Sequence, residues 1–263
     1  VGRGTRLRLF QDGEQTYQVA KAHNASIRDM RLSEDGALLA TASEDTTCRI
    51  WRPTAEGLLV RVKTLKGHLA GVRCVCFSPD GRHLASGSAD LTVKIWSCDG
   101  WKIAVTFKAH KNYLTSVAFD VDGRKLCTAG EDQVISVWSL PREISNRSPP
   151  AETVRIRHIP SMVLACDFTE CGRRVVGVTQ RRHVYVWHAL QGIIVCHWEF
   201  YPFDPDAYQN SMWRYALLSL NNGLNSVLVT DATGNTFKFV LMAISKPNDT
   251  TASLIEAFAT LKE

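Results

Sequence analysis

A repeat constrains this chain more than any other feature. Three stretches align in register, Ala22-His23 to Trp51, Gly67-His68 to Trp96 and Ala109-His110 to Trp138, and each places a Trp 28 residues after a His. Within each lie an alternating apolar segment, an acidic-Gly turn (Glu34-Asp35-Gly36, Pro79-Asp80-Gly81, Val121-Asp122-Gly123), a second short strand and an Asp six residues before the Trp. An internal spacing repeated in three successive stretches means one supersecondary unit copied along the chain, each copy burying its apolar faces against its neighbours. Alternation such as Val93-Lys94-Ile95-Trp96, bounded by Asp/Gly turns, predicts short antiparallel strands and an all-β fold.

The recurring Gly-His or Ala-His dipeptide, the Asp before the third strand and the closing Trp make the chain similar to the WD-repeat (WD40) β-propeller family. That resemblance implies blades of four antiparallel strands around a central channel, each with a hydrogen-bonded tetrad of His, Ser/Thr, Asp and Trp. By position these are His23, Thr41, Asp45 and Trp51; His68, Ser86, Asp90 and Trp96; and His110, Thr128, Asp132 and Trp138. Such a tetrad satisfies polar groups of a tight turn cooperatively. His, Ser and Asp together also imitate a hydrolase triad. Three near-identical copies argue for structure instead, since none of these serines sits in a Gly-x-Ser-x-Gly elbow. The chain is expected to be no enzyme and to carry no cofactor.

The pattern decays outward. A fourth unit is read from His158 to Trp187 with one extra residue, and Gly177 and Arg181 stand at its hydroxyl and Asp positions. A fifth, at about 211–245, keeps the strand rhythm, with Phe239 where the Trp would be. Before the first full unit, Thr5 to Phe10 and Thr16 to Lys21 read as the third and fourth strands of a preceding blade. The expected organisation is one propeller over 1–245, with a partial blade at 1–21 and blades at about 22–66, 67–108, 109–157, 158–200 and 211–245. The tail at 246–263 carries a short helix, in which Ser253 and Glu256 have capping-box spacing and Leu254, Phe258 and Leu261 share a face. About five and a half blades fall short of the seven typical of the family, and an unclosed propeller exposes sheet edges. The expectation is therefore a piece of a seven-bladed propeller, its other blades lying upstream or supplied by another chain.

Composition fits a folded domain: 45% of the 263 residues are hydrophobic and 22% charged. The excess of 31 Lys+Arg over 26 Asp+Glu gives +5, which is compatible with an acidic partner without requiring one. The eight cysteines include no Cys-x-x-Cys pair, so zinc and redox motifs lack support, and most fall in apolar strand patterns as inert core thiols. Together with the lack of a long apolar run, this predicts an intracellular protein, in cytoplasm or nucleus, without membrane insertion.

The resemblance also implies where partners bind: on the face carrying the fourth-to-first and second-to-third strand loops, at the third and fifth residues after the His and the residue before the Asp. Those positions hold Ser26, Arg28 and Glu44; Gly71, Arg73 and Ala89; Tyr113, Thr115 and Glu131; and Met162, Leu164 and Gln180. Arg28, Arg73 and Tyr113 have the side chains of interface hot spots. The alternative is that the arginines pair with Glu44 and neighbouring carboxylates as ordinary exposed charges. A second basic cluster, Arg181-Arg182-His183, with Arg155 and Arg157 approaching the same face, suits phosphate or carboxylate groups. It lacks interleaved aromatics to stack bases, and a solvated loop is the plainer account. The segment Trp198 to Trp213 concentrates six aromatics, either a partner-binding lobe or a seal between blades. The functional expectation is a non-catalytic scaffold for other proteins, among them acidic or phosphorylated peptides, within a larger assembly. An RNA-associated propeller using Arg28, Arg73, Arg181 and Arg182 is the alternative.

Overall fold

The computed structural model describes residues 2–11, 14–19, 21–169, 171–181, 183–199, 217–221, 226–230 and 236–240. The tail, including the expected helix, and most of the 198–213 segment lie outside the described residues. Among the described residues every regular element is a strand, and each sheet is antiparallel with its strands in chain order. The first sheet comprises β1 (Gly2–Arg3), β2 (Arg6–Gln11) and β3 (Glu14–Val19). Four-stranded sheets follow: β4 (Ile27–Leu32), β5 (Leu39–Ser43), β6 (Cys48–Pro53) and β7 (Leu59–Leu65); then β8 (Val72–Phe77), β9 (His83–Ser88), β10 (Thr92–Ser97) and β11 (Lys102–Lys108). The next two are β12 (Leu114–Phe119), β13 (Lys125–Gly130), β14 (Ile135–Ser139) and β15 (Ala151–Ile156), and β16 (Val163–Phe168), β17 (Arg174–Thr179), β18 (His183–His188) and β19 (Ile194–Glu199). The last described sheet holds β20 (Leu217–Asn221), β21 (Ser226–Thr230) and β22 (Thr236–Val240).

Turn chemistry explains the hairpins between first and second strands. Ser33 Oγ sits 2.5 Å from Asp35 Oδ1 and accepts from the Leu38 N–H, while Asp35 Oδ1 accepts from the Ala37 N–H. Gly36 closes the turn at a φ of 68°, in the left-handed region where a side chain is penalised. Ser78, Asp80 and Gly81 repeat the arrangement.

The core lies between sheets rather than within one. Ala40, Ala42, Cys48, Ile50 and Leu65 of the second sheet pack with Val72, Val75, Phe77, Leu84 and Trp96 of the third. The same occurs between the third and fourth sheets and between the fourth and fifth. Second strands therefore read as almost continuously buried, Leu39–Ser43 throughout. First strands stack in succession, β4 on β8, β8 on β12 and β12 on β16, with β20 touching β16. The partial blade has one more strand than the sequence suggested, since β1 pairs with β2 and packs on β4 as β5 packs on β8. A register shift falls before each closing Trp, between Ile50 and Trp51 and between Ile95 and Trp96, and the same shift between Leu9 and Phe10 puts Phe10 in the Trp register.

Candidate functional site

The three tetrads assemble with nearly identical geometry. His23 Nδ1 lies 2.9 Å from Asp45 Oδ2 and its Nε2 lies 2.7 Å from Thr41 Oγ1, into which Trp51 Nε1 donates at 3.0 Å. His68 reaches Asp90 and Ser86, each at 2.8 Å, and Trp96 Nε1 donates to Ser86 Oγ at 2.9 Å. His110 bonds Asp132 at 2.8 Å and Thr128 at 2.9 Å, with Trp138 Nε1 donating to Thr128 at 3.0 Å. A carboxylate only accepts, so Nδ1–H donates to Asp, Nε2 accepts the hydroxyl proton, and the indole fills the hydroxyl oxygen. Burial pushes the His23 pKa down, over the opposing pull of Asp45, and keeps the ring neutral. Burial alone would raise Asp45; hydrogen bonds from Thr47, the Asn24 N–H and His23 outweigh it and hold the carboxyl at about 2. No nucleophile is exposed here, because Ser86 and Thr128 are wholly buried.

The fourth blade corrects the expected register. Gly177 pairs with Cys166 and Tyr185 as Thr41 pairs with Met30 and Arg49. Eighteen residues before Gly177, as His23 is before Thr41, stands Ile159, not His158. The spacing from Ile159 to Trp187 is then the standard 28 residues, with no insertion. The His158 reading fails because Ile159 is 3% exposed and fills the tetrad position with hydrocarbon. His158 is exposed, with a φ of 63°, where Gly67 stands in the second matched dipeptide. Gly177 makes room for the indole: a Cβ there would meet Trp187 Cζ3 and Ile135 Cδ1 at 2.8 Å each.

On the loop face, the expected contact positions converge in part. Arg28 Nε donates to Glu44 Oε1 at 2.7 Å, and Arg73 Nε lies 3.4 Å from the same oxygen. Arg73 also stands 3.7 Å from Glu131 Oε1 and 5.1 Å from the centre of the Tyr113 ring, a cation–π distance. Five residues from three blades thus form one partly exposed network. Gly71 is buried and belongs to its frame, since a Cβ there would collide with the Glu44 carboxylate. Thr115 is committed inward, its hydroxyl donating to the Val163 carbonyl at 2.6 Å. Ser26 and Gln180 are exposed, Met162 and Leu164 half-buried. Arg181 is exposed, its N–H donating to Ser161 Oγ at 3.2 Å, and Arg182 lies outside the described residues.

Sequence reading passed over Asp29, Arg31 and Asp167. Asp29 accepts from the Val75 N–H of the next blade at 3.0 Å. Arg31 and Asp167 hold the fifth position of β4 and β16, where β8 and β12 have Cys76 and Ala118, and they interact electrostatically. Charges inside otherwise apolar alternation were the available signal.

A family model described as WD domain, G-beta repeat, matches residues 14–52, 59–97 and 101–139. A search among curated proteins finds no match. Each matched segment takes the outer strand of one sheet and three strands of the next, so every repeat clasps two neighbouring blades. Three matched repeats, each closed by a His, Ser/Thr, Asp and Trp tetrad, make residues 14–139 a run of WD repeats.

Proposed function

We propose that the chain is a non-catalytic scaffold that binds other proteins through its loop face, as a subunit of a larger intracellular assembly. The observation that carries this reading is the network of Arg28, Glu44, Arg73, Tyr113 and Glu131, which spans three blades and keeps Arg, Tyr and Glu groups partly exposed. Arg and Tyr anchors beside carboxylates give a partner both apolar area and charge-assisted hydrogen bonds. The RNA reading draws less support, because Arg28 and Arg73 are balanced by Glu44 and Glu131 instead of forming an unopposed basic stripe. Affinity purification followed by mass spectrometry tests the proposal. Arg28→Glu with Arg73→Glu is expected to abolish recovery of the partners that the unaltered chain captures. Unchanged recovery from a variant with a native circular dichroism spectrum overturns the assignment of this face.

A further inference from the structure

A second feature of the same face is more strongly charged than the central network. Lys111, Arg155, Arg157 and His158 converge on a cleft of about 340 Å³, whose other walls include Asp132 and Val134. Three loops supply them. Lys111 follows the tetrad His110, Asp132 and Val134 come from the β13–β14 turn, and Arg157 and His158 follow β15, on which Arg155 stands.

The cleft lies where the fourth blade departs from the tetrad pattern. Ile159 fills the buried place that His23, His68 and His110 hold in the other blades, and His158, just before it, is held in the left-handed region between two buried anchors, Ile156 and Ile159. A non-glycine residue kept in that conformation is imposed by its surroundings. Its ring now lines the cleft beside the cations. Arg155 is pre-oriented, with Nη2 donating to the Ala109 carbonyl at 3.2 Å and Nη1 to Glu152 Oε2 at 3.3 Å. Lys111 and Arg157 are exposed, and their side chains make no ion pair or hydrogen bond among the described residues. Asp132 is the one acidic wall, and both its oxygens are occupied, Oδ1 by His110 Nδ1 and Oδ2 by the Lys111 N–H, each at 2.8 Å. Among the described residues, three permanent cations therefore line the cleft against one carboxylate already committed to the tetrad, with Glu152, outside the lining, paired to Arg155.

We infer that this cleft binds the phosphoryl group of a phosphorylated serine or threonine on a partner protein. The inference rests on the proposed use of this face for protein contacts. A phosphomonoester carries about −1.5 to −2 at neutral pH and presents three strong acceptor oxygens. Arg forks and a Lys ammonium match that charge and geometry, and Val134 offers the ester's carbon an apolar neighbour. A nucleic-acid backbone fits less well, since among the described residues no Phe, Tyr or Trp lines the cleft to stack a base.

The test is an NMR titration of the full chain with N-acetyl-phosphoserine amide, and in parallel with N-acetyl-serine amide, inorganic phosphate and oligouridylate. Saturable shifts confined to the amides around Lys111, Gln133 and His158, given by the phosphorylated compound and not by its unphosphorylated counterpart, are expected. Arg157→Ala, which removes no internal contact, is expected to weaken binding at least tenfold, and Arg155→Gln with Arg157→Ala further. No shift at the cleft, an unaltered affinity in both variants, or tighter binding of inorganic phosphate or oligouridylate than of the phosphoserine amide overturns the inference. Affinity purification separates the two readings. Partners lost with Arg73→Glu, yet recovered equally from phosphatase-treated lysate and with Arg157→Ala, would sink the cleft and leave the scaffold. Saturable phosphoserine binding by a chain that captures no partner would sink the scaffold.

Discussion

The main-chain N–H of Gln180 donates to the carbonyl of Met162 at 2.9 Å, joining the two loops of the blade that has lost its tetrad. The bond recurs from Glu44 to Ser26, from Ala89 to Gly71 and from Glu131 to Tyr113. In each of these four blades it links two of the positions expected to meet partners. Backbone atoms alone make it, so the loop frame persists while side chains at those positions vary and while the tetrad beneath erodes. A face built this way can change specificity without changing its scaffold.

The tetrads are expected to matter for stability more than for recognition. Ser86→Ala removes the acceptor of the Trp96 N–H and the partner of His68 Nε2, all in buried surroundings. Leaving buried groups unpaired costs about 1–3 kcal/mol, to be read as a lowered urea midpoint. The reverse change in the fourth blade does not rebuild a tetrad. Gly177→Ser drives its Cβ against Trp187 and Ile135, with Arg181 where an Asp is needed, and is expected to destabilise as well. A Gly177→Ser chain more stable than the parent would contradict the packing account.

Gly71→Ala tests the charge network by geometry instead of charge. Its methyl would occupy the space of the Glu44 carboxylate, which must swing away from Arg28 and Arg73. The loss in stability is expected to be on the order of 1 kcal/mol, because these ion pairs are partly exposed. Partner capture should fall alongside the Arg28→Glu and Arg73→Glu variants, and a Gly71→Ala chain that captures partners normally would show that the network's shape is not what they read.

How much of this was legible in the sequence depended on whether a residue's role is local. Tetrad members are fixed by strand register, and hydrogen-bond partners such as His68 and Ser86 follow from an 18-residue offset that any aligned repeat reveals. The fourth blade misled because a histidine near the expected place, in an Arg157-His158 dipeptide, stood in for the cue, whereas the strand pairing of Gly177 with Cys166 puts Ile159 in place. The basic cleft was legible in part: Arg155 and Arg157 stood out beside the Arg181-Arg182-His183 loop, but their meeting with Lys111 did not, because Lys111 and Arg157 are 46 residues apart and meet only through loop geometry. Gly71 carried no sequence signal of its collision with Glu44, which arises between blades.

Thiol reactivity should single out one cysteine. Burial pushes Cys48, Cys76 and Cys98 up to about 12 and raises Cys74 and Cys127 as well. Cys171 is exposed in a hairpin turn. There burial pushes the thiol up, but the contact with Thr169 Oγ1 at 3.3 Å, the Arg173 main chain and the Arg174 charge together outweigh it, so its pKa is lowered. Native-state alkylation with iodoacetamide, followed by peptide mass spectrometry, is expected to modify Cys171 first, the thiolate being the nucleophile. Earlier labelling of Cys74 or Cys127 would mean that the sheet interfaces open readily.

Asp167 gives the chain a pH dependence opposite to that of its tetrads. Burial pushes this carboxyl up to about 6, against the Phe168 N–H, which donates to it at 2.8 Å, and the Arg31 charge, both of which favour ionisation. Its folded pKa therefore lies above the ordinary 3.8. The stability it contributes is complete below that ordinary value and lost as pH rises through about 6. Asp45, Asp90 and Asp132 are shifted down and act in reverse, stabilising above their unfolded pKa and losing that contribution in acid. His23 and His83, held low by burial, lose stability as pH falls through their ordinary value of 6.5. The bulk profile sums these opposing trends, so the informative quantity is a difference. Asp167→Asn keeps an acceptor for the Phe168 N–H and removes the titration. At pH 8 it is expected to be more stable than the parent by on the order of 1–3 kcal/mol, and the gap should narrow as pH falls below about 6 and towards 3.8. A gap that stays constant between pH 5 and 8 in urea unfolding would show that Asp167 ionises without cost in the fold.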